Sequence, residues 1–162
     1  MDRLILDIQD HLASLLGDQL STIDENYGQL QMMISDDPAS DTYPVISPAV
    51  LIDVHDVQWR GLAGCAQQGT ASITITLAID CYDDTHTNQQ PSDDQRQRIA
   101  DRLALLHRLH WALQGFKPTQ ASPLIRTSSR LYHLPRLWKA YELSYTAQLL
   151  DTMEACASRK RT

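Results

Sequence analysis

Ser72-Ile73-Thr74-Ile75-Thr76-Leu77-Ala78-Ile79-Asp80-Cys81-Tyr82 is the stretch on which the fold turns. Ile73, Ile75, Leu77, Ile79 and Cys81 share one parity, and Ser72, Thr74, Thr76, Asp80 and Tyr82 share the other. Side chains alternate between the two faces of a strand, so this spacing predicts a long strand with one buried face. Upstream, Pro48 leads into Ala49 to Arg60, a run rich in β-branched residues and closed by Gly61. Val50, Ile52 and Val54 fall on one parity but Val57 and Trp59 on the other. A β-bulge near His55-Asp56 would return all five to one face, because one extra residue flips the register. Gly61 to Gly69 then reads as a flexible hairpin connection between the two strands.

Downstream, a polar loop from Asp83 to Pro91 ends at Ser92, which stands three residues before Gln95. That is a capping-box pattern, with Asp93 and Asp94 placed favourably in the first turn. The helix it starts runs to Gln114, with Gly115 as its cap and Pro118 beyond. Its expected inward stripe is Ile99, Leu103, Leu106, His110 and Leu113, widened by Leu105, Leu109 and Ala112 on one side and Trp111 on the other. This is more apolar surface than one sheet face needs, which leaves part of it for another subunit. Leu124 to Tyr132 and Trp138 to Leu149 read as two further strands separated by His133-Leu134-Pro135.

At the other end, Leu4, Ile5, Ile8, Leu12, Leu15 and Leu16 form one helical stripe over residues 3–16, and Gly17-Asp18 offers a C′-type stop. Residues 19–48 show no sustained period; one or two short strands are expected there, with a loop at Asp36 to Asp41. Helices beside neighbouring antiparallel strands describe an α+β fold, an antiparallel β-sheet packed with two or more helices as a two-layer sandwich. A chain of 162 residues with 43% hydrophobic and 21% charged residues is one core's worth of sequence. A single domain over 1–155 is therefore expected, with a frayed basic tail at 156–162. No apolar run approaches the roughly 20 residues of a membrane span, and the N-terminus lacks the pattern of a secretory signal. Cys65, Cys81 and Cys156 are odd in number and widely spaced, which argues against a disulfide framework.

The net charge of −6 conceals a division. Residues 1–94 hold sixteen acids against Arg3 and Arg60, a formal −14, whereas residues 95–162 hold four acids against twelve bases, a formal +8. Such asymmetry bears on partners rather than on fold. The basic half, with Arg96, Arg98, Arg102 and Arg108 on the helix, then Arg126, Arg130, Arg136 and the terminal Arg159-Lys160-Arg161, makes a small nucleic-acid-binding accessory protein the alternative reading. Those arginines are spread around the helix, however, where a recognition helix would concentrate them on one exposed face.

Sites for chemistry are poorly supplied. Gly64 to Thr70 has phosphate-loop glycine spacing but lacks the lysine and leads into a strand rather than a helix N-terminus. His107 and His110 lie three apart on a helix without a third ligand in register, so a hydrogen-bonded, semi-buried histidine is the simpler expectation. The pairs Asp36-Asp37, Asp83-Asp84 and Asp93-Asp94 match no calcium loop, and no nucleophile elbow is present. No enzymatic activity, cofactor or metal is expected.

Element order and length, from the first helix through Ser47-Pro48-Ala49-Val50-Leu51-Ile52-Asp53, Ala78-Ile79-Asp80-Cys81-Tyr82-Asp83 and Leu113-Gln114-Gly115 to Ala140-Tyr141-Glu142-Leu143-Ser144-Tyr145, resemble the small tail-terminator or tail-completion proteins of long-tailed phages and prophages. The resemblance covers residues 3 to about 150. It implies a homo-oligomeric ring, hexameric in related cases, that caps the tail tube and joins it to head-completion proteins. Nucleic acid would at most pass through the ring, no membrane is involved, and the protein would be cytoplasmic during assembly and then part of the virion tail. Arg98, Arg102, Trp111, Asp83 and Asp84 are the candidate interface residues: opposite charges give register, and Trp111 offers a desolvated centre.

Overall fold

In the computed structural model the alternating stretch becomes part of the third strand of a five-stranded sheet. The structure describes residues 2–34, 45–64, 66–82, 92–135 and 137–152. In chain order the elements are α1 (Asp2–Leu16), β1 (Thr22–Glu25), α2 (Gln29–Ile34), β2 (Ala49–Gly61), β3 (Ala66–Asp80), α3 (Asp93–Leu113), β4 (Ile125–Leu134) and β5 (Trp138–Thr152). The strands lie in the order β1-β2-β3-β5-β4. The α+β fold is as expected, and the pairs β2/β3, β3/β5 and β4/β5 are antiparallel.

β1 departs from the antiparallel expectation, for it runs parallel to β2, with Thr22 opposite Ala49 and Glu25 opposite Ile52. A parallel neighbour requires a crossover, and α2 lies in that connection. Leu30 of α2 packs with Ala49, Leu51 and Ala78, on the opposite side of the sheet from Val50 and Ile52, so one end of the second face is covered too. Buried Gln29 fixes the entry to α2: its Nε2 donates to the Glu25 carbonyl at 2.6 Å and its Oε1 accepts from the Tyr27 amide at 2.9 Å. The expected loop at Asp36 to Asp41 and the 156–162 tail lie outside the described residues.

The bulge in β2 falls at the expected place, with a register shift between Val54 and Asp56. As a result Val50, Ile52, Val54, Val57 and Trp59 stand opposite Leu77, Ile75, Ile73, Ala71 and Gly69. The missing side chain at Gly69 is filled by its neighbours, since a Cβ there would lie 2.8 Å from both the Trp59 ring and Val57. β3 and β5 continue the same face with Tyr141, Leu143, Tyr145 and Ala147. α1 covers this face with Leu4, Ile8, Leu12 and Leu16, and α3 with Leu105, Leu109, Ala112 and Leu113.

Two helix details differ from the expected ones. Gly17 is not a left-handed cap: its amide bonds back to the Ala13 carbonyl at 3.1 Å, and the turn closes when the Leu20 amide reaches Leu16 at 3.0 Å. α3 is rotated from the expected stripe, so that Leu105, Leu109 and Ala112 point inward with Arg102 on the same line, while Ile99 and Leu103 stay exposed. The cause is α1, which shares the sheet face with α3 and accepts its packing there. His11 Nε2 lies 2.9 Å from the Ala112 carbonyl and the His11 ring stacks on Phe116.

The Ser92 capping box is formed in both directions, Gln95 amide to Ser92 Oγ at 3.2 Å and Ser92 amide to Gln95 Oε1 at 3.0 Å. Ser92→Ala should therefore cost about 1 kcal/mol and lower the thermal midpoint by about 2–4 °C. An unchanged midpoint in a thermal melt would show that the start of α3 contributes nothing to global stability.

Candidate functional site

Arg102 is the one charged side chain among the buried described residues. It sits on the core-facing line of α3 because Tyr141 of β5 and Cys81, just past β3, reach it from the sheet. Its Nε donates to the Tyr141 hydroxyl at 3.1 Å, and Nη1 lies 3.3 Å from Cys81 Sγ. A buried guanidinium is tolerable only when its donors are met. Cys81, expected as a small hydrophobe, thus also serves as a polar partner. Outside this contact opens a groove of about 780 Å³ lined by Arg98, Asp101, Arg102 and Arg108 of α3 and by Asp80, Tyr82, Pro48 and Gln19.

A smaller cleft of about 250 Å³ lies between α3 and the sheet, lined by Leu103, Leu106, His107, His110, Arg126, Ser129 and Leu143. His110 Nδ1 is 3.0 Å from the Tyr145 hydroxyl, which matches the hydrogen-bonded, partly buried histidine expected from sequence. Burial lowers the His110 pKa, and the neighbouring Arg126 and His107 side chains lower it further. Burial likewise pushes the Tyr145 phenol upward, with Arg126 opposing. His107 is exposed, and among the described residues no three metal-ligating side chains converge.

Of the expected interface residues, Arg98 and Arg102 come together at the groove, where Arg102 is largely buried and bonded to Tyr141 and Cys81. Trp111 lies far along α3 from them and is 77% exposed, well outside the core line. Asp83 and Asp84 lie outside the described residues.

Among the described residues, part of the charge division survives folding at the two edges of the sheet. Asp7, Asp10 and Asp18 belong to α1 and its end, Asp24 and Glu25 to β1, and Asp53 and Asp56 to β2, on one side of the molecule. α3 carries four arginines beyond its acidic first turn, and β4, at the far edge, carries Arg126 and Arg130 with no acid. Sheet order nearly repeats chain order, which keeps the two halves of the sequence apart. Sequence reasoning counted these charges but had no means of seeing that β4 and not β5 is the outer strand.

The fold is shared with a virion component. The chain superposes on one described as belonging to the virion of a native gene transfer agent particle, with a TM-score of 0.56 and 12% identity, over 93% of this chain and 96% of that one. At that identity the likeness is one of fold. No family model matches the sequence, and neither does any curated protein. Among the described residues no helix is long and apolar enough to cross a membrane.

Removing the Tyr141 hydroxyl leaves a buried cationic donor short of an acceptor, so Tyr141→Phe should cost about 1–3 kcal/mol, read as a lower denaturation midpoint at constant slope. A midpoint equal to wild type would mean Arg102 finds another acceptor. For His110 the folded pKa lies below the unfolded one, so the unfolded chain binds its proton more readily. Its contribution is complete above about pH 6.5 and is lost as pH falls below that. His110→Gln should flatten the decline in stability as pH falls below about 6.5, and an unaltered decline would assign it to other groups.

Proposed function

We propose that the protein is a structural virion component of the tail-terminator type, one that assembles with copies of itself into a ring capping a tail tube and presents a surface to head-completion proteins. The observation that carries this reading is the fold likeness to a virion chain along nearly the whole of both molecules. The sequence resemblance to tail-terminator proteins, drawn from element order alone, points the same way. On this reading the role is non-enzymatic, assembly takes place in the cytoplasm, and the protein ends in the virion tail. Its titratable groups inside the fold are engaged in structure, Arg102 with Tyr141 and His110 with Tyr145, which suits a protein whose surface carries the function.

Sedimentation velocity and light scattering test this directly. A discrete closed oligomer should form at about tens of micromolar, or upon adding tail tubes, and its population should fall as salt is raised from about 0.1 M to 1 M, since the screening length drops from about 10 Å to about 3 Å. A strict monomer under all of these conditions would overturn the proposal. Retention of duplex or single-stranded DNA on a filter at low salt, without self-assembly, would favour the nucleic-acid-binding alternative instead.

A further inference from the structure

We infer that the two lateral edges of the sheet are the two halves of one subunit contact, the acidic β1/β2 edge of one copy receiving the basic β4 edge of the next. The inference rests on the ring reading above and assigns its surfaces. β1 is four residues long and pairs only with Ala49 to Ile52, so among the described residues the outer side of β2 from Asp53 to Gly61 has no strand beside it. Asp24 and Glu25 of β1 and Asp53 and Asp56 of β2 line this edge. The opposite edge is β4, ten residues long, exposed along nearly all of its length and carrying Arg126 and Arg130. Long exposed edge strands are ready templates for another chain unless something covers them.

Geometry selects a second copy of this chain as the occupant. Following the antiparallel pairs from β2 through β3 and β5, β4 runs opposite to β2. A neighbour placed so that the sheet continues would bring its β2 alongside β4 in antiparallel sense with the same face up. Arg130, Asp24, Asp53 and Asp56 share one face, whereas Arg126, opposite Tyr145, and Glu25, opposite Ile52, lie on the other. Arg130 stands opposite Glu142 and Glu142 opposite Thr76, on the side of the sheet away from α1 and α3, and Asp53 and Asp56 pair with Thr74 and Ser72 on that same side. Arg130 is held in position by Glu142 at 3.4 Å and by the Tyr132 ring at 5.3 Å, while its side chain stays 70% exposed. A two-fold contact of β4 with β4 would oppose arginine to arginine, and one of β2 with β2 would oppose aspartate to aspartate. Only a head-to-tail contact satisfies both edges, and such contacts close into rings when the rotation fits.

The test uses two reversal variants of the full chain, Arg130→Glu, and Asp53→Lys with Asp56→Lys. Each alone should need at least about tenfold more protein for half-assembly, a factor corresponding to 1.4 kcal/mol per contact. An equimolar mixture of the two should assemble again, because reversed edges meet reversed edges and native edges meet native ones. Circular dichroism confirms that the variants fold; should either fail to, Arg130→Gln and Asp56→Asn serve as the milder pair, each weakening assembly. Wild-type rings that neither reversal weakens, or a mixture of folded variants that stays dispersed, would overturn the edge assignment and leave the ring reading standing. A wild-type chain that never assembles would overturn both.

Discussion

β3 is hydrogen-bonded along its length to β2 on one side and β5 on the other, and its Ile73, Ile75 and Leu77 are closed off from water. Each such side chain is worth about 1.5–3 kcal/mol when fully buried, but only if something covers the face. α1 and α3 divide that task, and the rest of the architecture follows from the division. α3 must turn Leu105, Leu109 and Ala112 to a face it shares with α1, so Ile99 and Leu103 are left outside. The bulge in β2 serves the same face, since without it Val57 and Trp59 would point away from Ala71 and Gly69.

The polar groups inside the fold act as fixings between layers. Arg102 ties α3 to Tyr141 of β5, His110 ties it to Tyr145, and His11 ties α1 to the end of α3. At the margin, Asp7 binds the Thr119 amide at 2.6 Å and Arg3 at 2.9 Å. Burial raises the Asp7 pKa, but the bonds from Thr119 and the charge of Arg3 outweigh it, so the carboxyl is held below its ordinary value. These contacts set the angle and rotation of helices that apolar packing alone would hold loosely.

With α1 and α3 gathered on one face, the other face beyond the end covered by α2 is largely polar, and both edges carry charge. Tyr132 bonds to Thr76 across that face, and Thr70 and Gln148 bond at its far end. Because strand order nearly follows chain order, the described acids of β1 and β2 and the described arginines of β4 lie at opposite edges of the sheet. A surface polarised in this way steers encounters and fixes orientation more than it adds affinity, which suits the proposed head-to-tail assembly.

The alternation through Ile73 to Cys81, the parity change between Val54 and Val57, and the Ser92-to-Gln95 spacing were enough to place β3, the β2 bulge and the start of α3, because each depends on bonds and faces within a few residues. β1 and α2 were not legible in the same way. A four-residue strand and a six-residue helix are too short for a period, and β1 is defined by its partner rather than by its own sequence. The rotation of α3 and the burial of Arg102 were hidden for a related reason: the apolar surface of that helix is wider than its contact, and only the position of α1 decides which part of it faces inward. The charges were countable from the beginning. Which of them share an edge and a face depends on the order of strands in the sheet, a long-range pairing that no local pattern encodes.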